Sequence, residues 1–158
     1  LVSRLVHYVG PLTNTGPMPP KVGQETSYTV IWSVVNSSND LTQATVKANL
    51  PSYVRFLGNA VPKEEAVAYD PRTGTVTWQL NKVKAGTGLS ASVREVAFQI
   101  ALTPSVSQAY LIVSLMGDAT LSGTDDFTMA LRSSLKRELT TELPTDPKSK
   151  ESESLVVR

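Results

Sequence analysis

Residues 21–41 read KVGQETSYTVIWSVVNSSNDL, and this stretch decides the fold class of the chain. Large apolar side chains occupy every second position, at Tyr28, Val30, Trp32 and Val34. Side chains that alternate with period two lie on one face of an extended strand. The Asn, Ser and Asp residues that follow bond to their own neighbouring backbone and favour a turn. The stretch therefore predicts a β-strand with one core-facing side.

The same alternation, interrupted by Gly, Pro, Asn and Asp, recurs along most of the chain and predicts an all-β protein. The apolar positions that carry it lie in segments 44–50, 54–57, 76–80, 96–102 and 111–115, and at Phe127, Met129 and Leu131. Residues 131–139 also show a helical leucine spacing, but a final strand followed by an irregular tail is favoured. Turn signals at short spacing predict an antiparallel two-sheet β-sandwich of about eight or nine strands with extended termini.

The two ends of the chain differ from its middle. Residues 1–20 combine an apolar strand, LVSRLVHYV, with a connector rich in Pro and Gly, which cannot join a central ladder. Residues 141–158 are dense in charge and are predicted to be a tail or linker, which leaves residues 21–140 as the sandwich domain. Because the chain begins with Leu1, we expect a processed form or an excised piece, with any signal or anchor outside it.

The composition excludes several classes of partner and chemistry. Lys and Arg total 15 against 14 Asp and Glu, so no basic field exists to bind nucleic acid. Cysteine is absent, which removes disulfides, thiolate nucleophiles and Cys-based metal sites. No apolar run approaches the roughly 20 residues of a membrane span. These observations favour a structural or binding protein.

Four segments, in order and spacing, give the middle of the chain a recognisable pattern. They are VGQETSYTVIWSVVNSSND, VKANLPSYVRFLG, YDPRTGTVTWQLNKVKAG and EVAFQIALTP, within residues 21–104. The set resembles the bacterial conserved-repeat domain known as domain-of-unknown-function family eleven. The resemblance implies an immunoglobulin-like sandwich, usually one of several tandem units of a large secreted or wall-associated protein without known catalysis. The chain departs from the family at KANLP, which lacks the usual acidic residue, and in residues 105–158, which extend beyond the module.

Catalysis by a histidine-based triad or a zinc ion would have to be built around His7, the only histidine. A lone histidine in a terminal strand is more often a surface or pairing residue, and neither G-x-S-x-G nor H-E-x-x-H occurs. Glu64 and Glu65 are adjacent, so on an extended chain they point in opposite directions and cannot flank one glycosidic bond. Both are predicted to be solvated loop charges. We predict no catalytic residue, no cofactor and no enzyme activity.

Asp118, Asp125 and Asp126 are weak candidates for a calcium site, because calcium prefers oxygen ligands. The segment GDATLSGTDDF lacks the D-x-[DN]-x-[DN]-G spacing, and an ordinary turn is the favoured interpretation. An internal Lys-to-Asn crosslink would need a lysine in the core. Lys47 lies on the polar side of its predicted strand, so no such crosslink is predicted.

Two features remain that could serve recognition. Asn36-Ser37-Ser38 is an N-glycosylation sequon at a turn predicted to be exposed, although the turn itself favours the same residues. Trp32 and Trp78 could form a platform for sugar stacking, but both are in phase with apolar neighbours and are predicted to lie in the core.

The sequence therefore predicts a non-enzymatic structural or adhesive module of a bacterial extracellular or cell-surface protein, one unit of a longer array. The expected partners are neighbouring domains or like subunits, with glycans or proteins of a host or cell surface as further candidates. One alternative is a self-assembling filament subunit that donates its terminal strand, LVSRLVHYV, to the next subunit. Another is a carbohydrate-binding module.

Overall fold

The computed structural model describes all 158 residues as eleven β-strands and two single-turn 3-10 helices. The strands are β1 Val2–Val6, β2 Thr26–Val34, β3 Leu41–Asn49, β4 Val54–Val61, β5 Ala66–Asp70, β6 Thr75–Val83, β7 Arg94–Leu102, β8 Ser114–Met116, β9 Ala119–Asp125, β10 Leu131–Lys136 and β11 Leu139–Thr140. The helical turns are Val106–Gln108 and Glu151–Glu153.

The strands form two packed sheets and one short ribbon. The front sheet has the order β1-β2-β7-β4, the back sheet has the order β10-β9-β3-β6-β5, and β11 pairs with β8. Every strand pair is antiparallel. The predicted fold class, an antiparallel immunoglobulin-like β-sandwich, is confirmed.

The core lies between the two sheets and is centred on β2 and β6. Trp32 and Trp78 are fully buried, as predicted, and Trp32 meets Phe98 edge-on with 4.9 Å between ring centroids. Aromatic pairs of this geometry contribute about 1 kcal/mol beyond their burial. The four predicted core positions of β2 are all buried, so the alternation identified the inner face correctly.

The outer face of β2 is buried too, because the proline-rich connector folds back over the front sheet. Asn14 Nδ2 donates to Thr29 Oγ1 at 3.0 Å, and the Thr15 amide donates to Ser27 Oγ at 2.7 Å. Gln99 of β7 donates to the connector through its side-chain amide, which lies 2.8 Å from Thr13 O. The connector contributes no strand to the ladder, but its polar groups satisfy those of the sheet beneath it.

The turn in YDPRTG forms as predicted between β5 and β6. The Gly74 amide donates to Asp70 O at 2.8 Å, and Gly74 has a φ of 70°. An added Cβ would lie 3.0 Å from Leu50 O in this left-handed conformation. The turn therefore requires glycine for both reasons.

Two segments predicted to be strands are partly or wholly loops. The strand expected over 111–115 is reduced to Ser114–Met116, and Leu111 and Ile112 lie in an exposed loop. Phe127 and Met129 lie in the exposed turn between β9 and β10. Both predictions were wrong because alternation and apolar content do not show whether a second layer covers a segment.

The flanking segments both contact the sandwich, while the domain boundaries at residues 20 and 140 stay a prediction. β1 pairs with β2 over its whole length. Near the other end, Val156 is fully buried in the main core, and the Val157 amide donates to Pro20 O at 2.8 Å. No helix in the structure has the length and apolarity needed to cross a membrane.

Candidate functional site

His7 lies just after β1 and is half-buried. Its Nδ1 is 2.9 Å from Ser27 O, and because a carbonyl oxygen can only accept, this nitrogen carries the proton. The ring meets those of Tyr8 and Tyr28 edge-on, at centroid distances of 4.9 and 5.7 Å. These contacts give His7 the role of joining the end of β1 to β2.

The residues that directly follow β1 are held in place by a buried carboxylate near the other end of the chain. Asp146 Oδ2 accepts hydrogen bonds from the His7 and Tyr8 amides, at 2.8 and 2.7 Å, and its Oδ1 accepts from the Lys148 amide. Burial alone would raise the pKa of Asp146, but these bonds from backbone amides outweigh it and lower the pKa. We refer to this arrangement as the Asp146 clamp.

Sequence reasoning missed the Asp146 clamp. An Asp-Pro pair at 146–147 signals a turn, and the aspartate does accept from the amide two residues on. No local signal, however, connects it with residues 139 positions earlier in the chain.

Glu65 is a bridge between the two sheets, so its predicted role as a solvated charge was wrong. It pairs with Arg94 at 2.8 Å and accepts a hydrogen bond of 2.7 Å from Trp78 Nε1. Burial alone would raise the pKa of Glu65, but these two partners outweigh it and lower the pKa. Glu64 is exposed, as predicted. The two glutamates thus have different environments, and neither has the arrangement of a catalytic pair.

The three calcium candidates do not come together. Asp118 directly precedes the seven-residue β9, and Asp125 is its last residue. At the rise per residue of a β-strand, about 20 Å separates the two. Asp126 is next to Asp125 but pairs with Lys82 at 3.6 Å. No group of three or more histidine, aspartate or glutamate side chains with the arrangement of a metal site occurs in the structure.

Asp125 has a structural role in closing the turn before β10. It accepts hydrogen bonds from the Thr128 and Phe127 amides at 2.9 and 3.0 Å, and also from Asn39 Nδ2. Together with its other hydrogen bonds, the bond from the Thr128 amide lowers the pKa of Asp125 to about 2, and this bond has the largest effect. This carboxylate is therefore ionised in the folded protein at neutral pH and serves as a turn cap.

Asn36 is 7% exposed, so the prediction that its turn would expose it was wrong. Its Nδ2 donates to Asn39 O at 2.8 Å and lies 3.3 Å from both Val83 O and Lys84 O. A sugar would have to be attached to this same nitrogen. In the folded chain the amide is instead used to hold two loops together.

Lys47 and the two tryptophans lie where their sequence patterns predict. Lys47 is exposed on the outer face of β3, as predicted from its place on the polar side. Both tryptophans are buried and cannot form an exposed stacking platform.

A surface depression of about 440 Å³ is lined by the C-terminal loop, with Leu143 as its single apolar residue. Small-molecule pockets are mostly apolar, which this depression is not.

The two chain ends lie at opposite ends of the sandwich. Val2 pairs with Ser33 near the end of β2, whereas Val157 bridges Lys21, which precedes the start of β2. The nine residues of β2 span roughly 30 Å between these points. Both ends are hydrogen-bonded into the fold rather than hanging from it.

Comparison with protein-family models finds no match, and comparison with curated protein sequences also finds none. Among solved structures, the chain is similar to the full-length major pilin SpaD from Corynebacterium diphtheriae. The identity is 13% over 87% of this chain and 34% of that one, with a TM-score of 0.54. Domains D2 and D3 of the same pilin match at 13% identity over 77% of this chain and 47% of that one, with a TM-score of 0.52.

This chain thus spans between a third and a half of the length of those pilin structures. Both structural neighbours come from a bacterial major pilin. At such low identity the likeness shows the fold alone.

Proposed function

We propose that this chain is a non-enzymatic structural module of a bacterial extracellular surface protein, in which like domains follow one another end to end. The observation that carries the proposal is the position of the two chain ends at opposite ends of β2. Copies joined at those ends would extend along the strand direction rather than fold back beside one another. The pilin fold and the resemblance to the conserved-repeat domain support the same function.

The site residues are consistent with this proposal, because the candidate groups that make close contacts stabilise the fold. His7 contacts Ser27, Glu65 bridges Trp78 and Arg94, and Asp125 caps a turn. The filament alternative receives less support, because β1 already completes the front sheet of its own chain. Donation of β1 to a neighbour would first require these pairs to break.

Small-angle X-ray scattering of a chain of two directly joined copies tests the proposal. We expect the maximum dimension to exceed that of one copy by at least about 30 Å, the span of β2. A matched chain with a flexible Gly-Ser linker of about 30 residues should show a broader distribution of distances. If the directly joined copies have the dimensions of two sandwiches lying side by side, the end-to-end arrangement is wrong.

A further inference from the structure

The most unusual surface of the molecule is the β9–β10 hairpin. Four large apolar side chains between residues 127 and 135 are strongly exposed: Phe127 at 84%, Met129 at 73%, Leu131 at 76% and Leu135 at 61%. Single exposed apolar residues are ordinary, but a concentration of this kind marks an interaction surface. None of these four side chains packs against the hydrophobic core.

The hairpin also carries an edge of the back sheet that no other strand covers. β11 lies beside β1, and Thr145 Oγ1 donates to Leu5 O at 3.4 Å, so the β1 edge is covered. β4 and β5 lie beside each other, and their aromatic rings stack at 5.1 Å between Phe56 and Tyr69. β10 pairs only with β9, and Leu1 and Val35 lie near its residues 132–134. Its second edge is therefore available for pairing.

The register of the hairpin identifies the free main-chain groups. Ala130 O accepts from the Asp125 amide, and the pairing of β10 with β9 continues without a bulge to Lys136. Because main-chain bonds alternate in direction along an antiparallel strand, the outward-facing groups belong to Leu131, Ser133 and Leu135. An extended segment laid along this edge would meet three residues with free amides and carbonyls.

The side chains of β10 indicate which kind of extended segment could bind along this edge. Leu131 and Leu135 lie in one row, opposite Thr124 and Thr120, whereas Arg132 and Lys136 lie in the other row. Arg137 follows directly, and Arg132 has a counter-charge in Asp125, whose Oδ2 is 3.7 Å from Arg132 Nε. Cross-strand pairs of opposite charge are favourable and pairs of like charge are unfavourable.

These charges disfavour two occupants from the same chain. In antiparallel pairing, a second copy of β10 would bring Arg132 and Lys136 of both copies onto one face of the sheet, directly opposite or diagonally across from one another. The N-terminal strand of a neighbouring copy carries Arg4 and no acidic residue. A segment with carboxylates at alternate positions, and apolar side chains between them, complements both rows of β10.

We propose that β10 binds an extended segment of a partner protein, in which acidic and apolar residues alternate, by addition of that segment as a sixth strand to the back sheet. The free main-chain groups supply affinity, the leucine row contacts the apolar side chains, and the basic row contacts the carboxylates. This binding site does not depend on the end-to-end arrangement of domains.

A fluorescently labelled nine-residue peptide of alternating glutamate and valine is the probe, measured by anisotropy against the whole 158-residue chain. We expect saturable binding, with amide shift changes in the nuclear magnetic resonance spectrum confined to residues 131–136. The Ser133→Pro variant removes one outward-facing amide that the hairpin itself does not use. Binding should weaken about fivefold to tenfold, whereas Ser133→Ala, which keeps the amide, should bind like the parent chain.

A second peptide, in which lysine replaces glutamate, tests the charge rule and should bind at least about tenfold more weakly. Circular dichroism and thermal unfolding of both variants confirm that the sandwich is intact. Absence of binding by the glutamate peptide, equal binding of both peptides, or equal binding by the proline and alanine variants would each overturn the proposal.

Discussion

β1 and β10 are both edge strands of about the same length, yet their surroundings are opposite. β1 has Leu5 and Val6 buried, and the Asp146 clamp and β11 cover its far side. β10 has no fully buried residue and pairs with β9 alone. The sandwich thus has a sealed edge, at β1, and an open edge, at β10.

The difference shows how an edge strand can be protected. At β1, protection comes from residues near the other end of the chain, which cover the main-chain groups directly. At β10, protection rests on Arg132 and Lys136, whose charges oppose pairing with another copy of the same strand. A covered edge cannot pair with an added strand of any kind. A charged, uncovered edge disfavours only added strands of like charge.

The largest expected effect comes from the same substitution made on both strands. Leu5→Ala removes a buried side chain and should lower the free energy of unfolding by about 2–4 kcal/mol. Leu135→Ala removes an exposed one and should change it by less than about 0.5 kcal/mol. Urea unfolding of the two variants measures both values. Similar losses would show that the two edge strands do not differ in their packing.

A smaller effect is expected from breaking the clamp itself. Asp146→Ala leaves the His7 and Tyr8 amides without their acceptor and should cost about 2 kcal/mol. Asp146→Asn keeps one acceptor oxygen in nearly the same place and should cost less. If alanine and asparagine are equally harmless in urea unfolding, the clamp does not stabilise the sealed edge.

Acid should weaken both edges, because each is held by an aspartate whose pKa the fold lowers. The pKa of Asp146 is lowered by the folded structure, and the amide of Thr128 and its neighbours lower that of Asp125 to about 2. A carboxylate whose pKa is lower in the folded than in the unfolded chain stabilises the fold above about pH 4, its ordinary pKa. For Asp125 that contribution is lost as the pH falls from about 4 toward 2, and for Asp146 it is lost as the pH falls below about 4.

Urea unfolding between pH 2 and 6 follows this loss. The Asp146→Asn variant cannot titrate at this position, so its stability should fall less steeply with pH than that of the parent chain. Parallel pH profiles for the two proteins would mean that Asp146 has the same pKa in the folded and unfolded states.

Much of the sealed core could be predicted from the sequence, because its signals are local. The alternation around Trp32 identified the inner face of β2, and the Asp-Pro and Gly residues of YDPRTG identified the turn at Gly74. Period-two patterns and turn residues depend on neighbours a few positions apart, which a single sequence displays directly.

The long-range contacts could not be predicted in this way. The Asp146 clamp, the Glu65 bridge and the burial of Asn36 each join residues far apart in the sequence. The same limit explains the prediction of alternating strand structure at Phe127 and Met129, which in fact lie in an exposed turn. Apolar spacing identifies side chains that could share a face, but whether something covers that face depends on distant segments.

Amide hydrogen exchange, resolved by residue, tests the contrast between the two edges most directly. The His7 amide donates to Asp146, whereas the amides of Leu131, Ser133 and Leu135 point away from β9 and have no partner strand. We predict strong protection of the His7 amide and little protection of the three β10 amides. Fast exchange at His7 would contradict the sealed edge, and strong protection of the three β10 amides in the isolated chain would contradict the open edge.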